Sequence, residues 1–269
     1  MWAMHPFDTA TTLEPVAAGL VRGRTDAQWA NMVGPFGGIT AATMLGAIDR
    51  QPERTGEPVA LTVNFAAPID DGAFEIAAEP ARTNRSNQHW IARLRQNGET
   101  RTTATALFGT RRDSWSDTEA DPPPAPTPER VGPQKSSEFA PWLRNYDMRI
   151  ADGAAPSDVS QASEDSTTTL WVRLTPGRIL DHAALAALCD VFYPRIFLRR
   201  GRFVPAGTIS LTVYFHADQR RLDAVGDDFV LGRARGNRFG GGFFDQSAMM
   251  WSRSGELLAT THQIVYFKG

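Results

Sequence analysis

The most regular feature of the chain is a series of apolar runs with a two-residue period. Residues 59–65, VALTVNF, carry an apolar side chain at every second position, which is the pattern of a strand with one buried face. Strands are predicted over residues 59–67, 74–84, 89–96, 100–108, 208–216, 229–238, 242–251 and 257–267. Asn-Gly at 97–98 and Ser-Gly at 254–255 separate neighbouring runs and predict hairpin connections.

Two other apolar segments have the length and composition of buried helices. They are Gly37–Ile48, GGITAATMLGAI, and Asp181–Phe192, DHAALAALCDVF. Asp181 stands where an N-cap residue belongs. Both helices are predicted to be buried on nearly every side.

The chain repeats itself in order. Residues 61–65, LTVNF, match LTVYF 150 residues later at 211, and residues 81–85, ARTNR, match ARGNR 153 residues later at 234. A third match, Asn-Gly-Glu with Ser-Gly-Glu, has an offset of 157 residues, from 98 to 255. Offsets that grow in small steps indicate a duplication with short loop insertions. Each half is therefore predicted to be α+β, with one buried helix and an antiparallel sheet.

A change of composition separates the halves. Residues 113–134 include three consecutive prolines and show no apolar period, which is typical of a surface linker. We predict an N-terminal domain over 1–112, a Pro-rich linker over 113–140 and a C-terminal domain over 141–269. Residues 151–168 are predicted to be a loop.

Composition excludes several classes of protein. The 269 residues contain no run of about 18 apolar residues, and residues 1–10 lack the features of a secretory signal, so a cytoplasmic protein without membrane insertion is expected. Cys189 is the single cysteine, which excludes a disulfide within the chain. A formal charge of −2 provides no general attraction to nucleic acid. The five histidines show no metal-ligand spacing, and no metal is expected.

Several short motifs then point to a family. In their order and spacing they resemble the acyl-CoA thioesterase II family, and the resemblance covers Val33 to Phe267. The family implies a double hotdog, in which two tandem repeats each wrap an antiparallel sheet around a central helix. The residues that carry the resemblance are Phe36-Gly37-Gly38, Ala41-Ala42, Leu188-Cys189-Asp190, Gly207-Thr208, Phe215-His216 and residues 258–263, LATTHQ.

The repeat singles out candidate site residues, because a position that is polar in only one half is not required by the fold. By the offsets above, Thr208 corresponds to Pro58, Gln263 to Ala106, and Asp190 to Thr40 or, with two inserted residues, to Gly38. A carboxylate in an apolar helix is costly unless it is hydrogen-bonded or functional. The structural alternative for Asp190 is a capping carboxylate.

The resemblance implies a role for each of these residues. Asp190 is expected to be the general base, and Gln263 and Thr208 are expected to orient the attacking water, without a covalent intermediate. Backbone N–H groups of Gly37 and Gly38, at a helix start, are candidates to stabilise the oxyanion. The alternative for this glycine pair is close helix packing.

Other residues are candidates to bind the rest of the substrate. Coenzyme A phosphates favour arginine, although arginines of solvated strand faces are the alternative explanation. The candidates are Arg82, Arg85, Arg233, Arg235 and Arg238 for coenzyme A, and Met44, Leu45, Phe192 and Phe244 for the acyl chain. His216 is expected to share a strand face with Thr208. There it is either a group that supports the site residues or a hydrogen-bonded structural histidine.

The predicted function is hydrolysis of a fatty acyl-CoA to free acid and coenzyme A, a reaction of lipid metabolism. It needs no cofactor beyond the coenzyme A of the substrate. A hotdog enoyl-CoA hydratase or dehydratase and a non-catalytic acyl-CoA-binding protein are the alternatives. Exposed sheet edges favour a homo-oligomer.

Overall fold

The computed structural model describes residues 4–134, 140–155 and 159–269. In these ranges the α-helices are α1 Pro6–Ala10, α2 Gly37–Asp49, α3 His182–Leu188, α4 Ile196–Arg200 and α5 Gln219–Val225. The strands are β1 Glu14–Ala17, β2 Leu20–Arg24, β3 Glu57–Phe65, β4 Ala73–Thr83, β5 Asn87–Gln96, β6 Glu99–Gly109, β7 Tyr146–Asp152, β8 Thr168–Leu174, β9 Ala206–Phe215, β10 Val230–Arg235, β11 Phe239–Gly240, β12 Phe243–Ser252 and β13 Leu257–Phe267.

The strands form one antiparallel sheet that runs through both halves. Its order is β1-β2-β4-β5-β6-β3-β9-β13-β12-β10-β8-β7, with β11 paired to β12. The halves join where β3 pairs with β9, and there the hydroxyls of Thr62 and Thr212 lie 3.0 Å apart. Helix α2 packs on β3, β4 and β5, and it also contacts α3. The predicted α+β double hotdog is confirmed.

The strand register carries the duplication residue by residue. Leu61 pairs with Ala106 between β3 and β6, and Leu211 pairs with Gln263 between β9 and β13. Each pairing is interrupted by one extra residue, at 59 in the first half and at 209 in the second. The offsets of 150 and 157 residues therefore describe equivalent positions in space.

The two helix predictions differ in outcome. Helix α2 covers the predicted Gly37–Ile48 and one more residue. The second helix starts as predicted, since the Asp181 side chain accepts a hydrogen bond from the N–H of Ala184 at 2.7 Å. It ends at Leu188, however, and the prediction that Asp190 lies inside a helix is wrong. The chain forms a tighter, 3-10-type turn there, because the N–H of Asp190 donates to the carbonyl of Ala187, three residues earlier. Many helices end in this way.

Five strands were not predicted: β1, β2, β7, β8 and the two-residue β11. Strand β8, TTLWVRL, is buried on both faces and so has no alternation to recognise. Residues 153–155 and 159–167 of the predicted loop contain neither helix nor strand, and the ends of that prediction overlap β7 and β8. The remaining residues of the loop lie outside the described ranges.

The described part of the linker, up to residue 134, contains one short 3-10 helix, Pro128–Arg130, and is held against the second half. It crosses the sheet face turned away from the helices, where Trp171 and Trp251 belong to an aromatic and aliphatic cluster. The indole N–H groups of these two residues donate to the carbonyls of Pro126 and Ala120 at 2.8 and 3.2 Å. The domain boundaries at 112 and 140 stay a prediction.

We expect Trp251→Ala to release this linker. The change removes a buried ring and one hydrogen bond, and comparable truncations cost about 3–5 kcal/mol. Urea unfolding should show the loss, and limited proteolysis should cut residues 113–134 faster than in the wild type. Trp115→Ala, in an exposed part of the same linker, is the control. Equal cleavage of both variants would show that the cluster does not hold the linker.

Candidate active site

A carboxylate, an amide and a hydroxyl from the second half meet at the end of α3. Asp190 is 9% exposed, and its Oδ1 accepts a hydrogen bond from Nε2 of Gln263 at 2.8 Å. Oγ1 of Thr208 donates to Oε1 of the same amide at 3.5 Å. The three predicted polar residues thus form one connected chain, with Gln263 in the middle.

A bulge in β9 brings Thr208 to this chain. Leu211 and Val213 face the core, and strict alternation would turn Thr208 outward with Ser210. The extra residue Ile209 resets the alternation, so Thr208 points inward to Gln263. The expectation that His216 shares this face is wrong for the same reason, since His216 lies outside and contacts Oγ1 of Thr260 at 3.1 Å.

The start of α2, in the first half, faces the carboxylate. A Cβ at Gly37 would lie 2.5 Å from Oδ2 of Asp190. A Cβ at Gly38 would collide with the Phe36 ring and lie 2.7 Å from the carbonyl oxygen of Ala187. Close packing therefore requires both glycines. The first helical N–H groups have no intrahelical partner, and the side chain of the N-cap residue Phe36 accepts no hydrogen bond from them. The site therefore combines backbone of one half with side chains of the other.

Burial sets the protonation of the acid. Desolvation raises the pKa of Asp190 from 3.8 to about 7, and the amide of Gln263 and the N–H of Gly38 counteract this only in part. A carboxylate with this pKa can accept a proton from water near neutral pH and return it. Burial and the Asp190 charge also raise the pKa of Cys189, which keeps that thiol protonated as a core residue.

One polar residue of the site was missed by the sequence reasoning. Gln246 on β12 pairs directly with Gln263 and is 2% exposed, and its amide nitrogen has no partner among the described residues. The equivalent pair in the first half is Trp90 with Ala106. A glutamine in place of a tryptophan is the same asymmetry that identified Gln263, so extending the comparison along this strand would have found it.

Tyr146, the first residue of β7, was also missed. Burial and the charge of Asp190 raise its pKa well above 10, so the phenol stays protonated. Its strand was not predicted, although residues 146–150, YDMRI, alternate between apolar and polar side chains as a half-buried strand does.

The arginines predicted to bind coenzyme A lie elsewhere on the sheet. Arg82 and Arg85 are exposed at the end of β4, and Arg235 and Arg238 are exposed at the equivalent end of β10. Six strands separate β4 from β10 in the sheet, and none of the four arginines hydrogen-bonds to Asp190, Thr208 or Gln263. Their contact with coenzyme A stays a prediction.

The residues predicted to line an acyl groove are all buried. Met44, Leu45 and Phe192 lie in the main core, whereas Phe244 belongs to a smaller cluster with Val265 and Ile196. The structure therefore divides the predicted groove between two clusters.

Arg233, the remaining arginine predicted to bind coenzyme A, donates a hydrogen bond to Oγ1 of Thr169 on β8 at 2.9 Å.

The described ranges contain no group of three or more His, Cys, Asp or Glu side chains suited to a metal ion. No helix in these ranges has the length and apolar character needed to cross a membrane.

The family follows from sequence models of the two halves. Residues 25–109 match the model of the acyl-CoA thioesterase N-terminal domain, and residues 118–267 match that of the acyl-CoA thioesterase C-terminal domain. The chain belongs to the acyl-CoA thioesterase family. Together the two matches cover most of this thioesterase-family protein. A search among curated proteins finds no match.

Solved structures similar to this thioesterase-family protein share its fold over the whole length. A conserved protein of unknown function with a hotdog fold from Alicyclobacillus acidocaldarius is 49% identical, with 99% of each chain covered and a TM-score of 0.94. A putative thioesterase II from Thermobifida fusca is 19% identical, with both chains fully covered and a TM-score of 0.85. The tesB protein of Mycobacterium avium subs paratuberculosis is 20% identical, with 98% of each chain covered and a TM-score of 0.78. These likenesses support the tandem arrangement of two hotdogs.

Proposed function

We propose that the protein hydrolyses a fatty acyl-CoA to a free acid and coenzyme A by direct attack of water. The observation that carries the proposal is the 2.8 Å hydrogen bond between Gln263 and Asp190, a buried acid that faces the start of α2. Membership of a thioesterase family supplies the thioester as the substrate class.

The proposed reaction divides the work between the two halves. Asp190 takes a proton from water as the water oxygen bonds to the thioester carbon. Gln263 and Thr208 orient the water, and N–H groups of Gly37 and Gly38 stabilise the oxyanion. When the carbon–sulfur bond breaks, protonated Asp190 returns the proton to the leaving thiolate. The products are the acid and the thiol of coenzyme A.

The hydratase alternative gains no support from the site. Such an enzyme needs a histidine paired with a carboxylate at the substrate β-carbon. Among the described residues no histidine hydrogen-bonds to an Asp or Glu side chain: His182 contacts the carbonyl of Ala217, His216 contacts Thr260, and His262 contacts Ser247.

Release of free thiol tests the proposal. The wild-type protein is assayed with short, medium and long saturated acyl-CoAs, and hydrolysis of at least one length class is expected. Loss of enoyl absorbance, measured in parallel with a 2-enoyl-CoA as the substrate, tests for hydration. Binding of all lengths without thiol release would replace hydrolysis by the non-catalytic alternative.

Gln263→Met tests how the acid is positioned. Methionine has nearly the same shape but removes the donor to Asp190 and the acceptor for Thr208, and we expect kcat to fall by about 10- to 100-fold. The change also raises the pKa of Asp190 further, because that hydrogen bond lowers it. The acid limb of the pH–rate profile should therefore move to higher pH. Gln28→Met, at an exposed position, is the control. If the acid limb does not move, the hydrogen bond from Gln263 does not control the pKa of Asp190.

A further inference from the structure

The hydroxyl of Tyr146 is buried and unpaired within the described ranges. The residue is 5% exposed, and its phenol oxygen makes no hydrogen bond with any described residue. Buried hydroxyls are paired in the great majority of proteins, because an unpaired one costs stability. The stability of the fold therefore does not explain why position 146 carries a hydroxyl.

The aromatic ring of Tyr146 is fixed on three sides. Trp29, Phe36 and Trp142 contact it edge to face, with ring centroids at 5.6, 6.2 and 5.8 Å. Phenylalanine would make the same ring contacts. The surrounding rings therefore explain the aromatic side chain and fix its direction, whereas the hydroxyl contributes nothing to this packing.

This aromatic cluster lies beside the candidate active site. Phe36 directly precedes Gly37, and its ring fills the space next to Gly38, while Oδ2 of Asp190 fills the space next to Gly37. Tyr146 therefore reaches the start of α2 from the second half. The charge of Asp190 acts on the phenol, although the two groups are not hydrogen-bonded to each other.

Two donors of this cluster have no acceptor among the described residues. The indole N–H of Trp142, whose ring stacks on Phe36 at 3.9 Å, is likewise buried without a partner among the described residues. A thioester carbonyl oxygen is an acceptor, and it becomes a stronger one as negative charge develops on it.

We propose that the Tyr146 hydroxyl is a catalytic hydrogen-bond donor to the thioester carbonyl oxygen, alongside the backbone N–H groups of α2. The inference rests on the proposed hydrolysis. The phenol keeps its proton throughout, and its hydrogen bond shortens as the carbonyl becomes an oxyanion. It stabilises the transition state more than the bound substrate, so it acts on kcat.

Tyr146→Phe tests the proposal, because it removes one oxygen and leaves the ring. We expect kcat to fall by about 10²-fold, in line with loss of other oxyanion donors, with KM within about twofold. The midpoint of thermal unfolding should stay the same or rise, since no hydrogen bond of the fold is lost. Tyr214→Phe, which removes the hydroxyl of a residue that is 46% exposed on the outer face, should change neither value.

Three results would overturn the proposal. A kcat within about twofold of the wild type would show that the hydroxyl does not touch the reacting group. If Tyr146→Phe had a lower unfolding midpoint than the wild type, the hydroxyl would have a structural hydrogen-bond partner in the folded protein. A fall in kcat that disappears at high pH would place the effect on the ionisation of Asp190. A wild-type protein inactive on every acyl-CoA would instead refute hydrolysis itself, and the inference would fall with it.

Discussion

Replacing Asp190 by asparagine is expected to lower kcat for thioester hydrolysis by about 10²- to 10⁴-fold, the usual contribution of a positioned general base. Asparagine has the same shape, and its amide oxygen can still accept the hydrogen bond from Gln263 that the carboxylate now accepts at 2.8 Å. The variant loses the proton acceptor, and its amide nitrogen cannot accept the hydrogen bond from the N–H of Gly38. Thiol release under saturating substrate measures the effect.

The same substitution is expected to leave the protein folded and, above neutral pH, to stabilise it. The raised pKa of Asp190 means that burial disfavours its charge, and asparagine carries none. The thermal midpoint at pH 8 should therefore be higher in Asp190→Asn than in the wild type. Asp71→Asn, at an exposed position, controls for the loss of an acid elsewhere. An Asp190→Asn protein that is folded and fully active would remove Asp190 from the mechanism.

Internal duplication made much of the fold predictable from one sequence. Residues 61–65 and 211–215 match because both central strands, β3 and β9, must fill the same kind of core. Only some of the strands that escaped prediction lack that regularity. Strand β8 is buried on both faces and shows no alternation, whereas β7 does alternate between Tyr146 and Ile150. The packing of Tyr146 against Trp29 and Phe36 joins distant parts of the chain, and such contacts leave no pattern in the sequence.

The site was partly predictable for a related reason. Gln263 differed from its counterpart Ala106, and a polar residue that the fold does not require is visible without coordinates. The direction of Thr208 was not visible, because it depends on the bulge at Ile209. The position of Asp190 after the helix also depends on where the backbone tightens. Both are local departures from regular geometry, and sequence periodicity assumes regular geometry.

The rate of hydrolysis is expected to depend steeply on pH. The base is active only when ionised, and the pKa of Asp190 is about 7. Below that pH, kcat/KM, which reports the pKa of the protein without substrate, should fall about tenfold for each unit, which amounts to roughly 10²-fold at pH 5. Above it, the rate should level off. Initial rates between pH 5 and 9 measure the profile, with each sample returned to pH 8 to show that the loss is reversible.

Stability is expected to change in the opposite direction over the same range. The pKa of Asp190 is 3.8 in its ordinary state and about 7 in the folded protein, so the folded state binds this proton more tightly than the unfolded state between those values. The contribution of Asp190 to the free energy of unfolding therefore decreases as pH rises from about 4 to 7, and it is constant above. Subtracting the urea-unfolding energies of Asp190→Asn from those of the wild type at each pH isolates this contribution. A difference that stays flat from pH 4 to 8 would mean that Asp190 titrates normally, and an unperturbed aspartate would be too weak a base for the proposed mechanism.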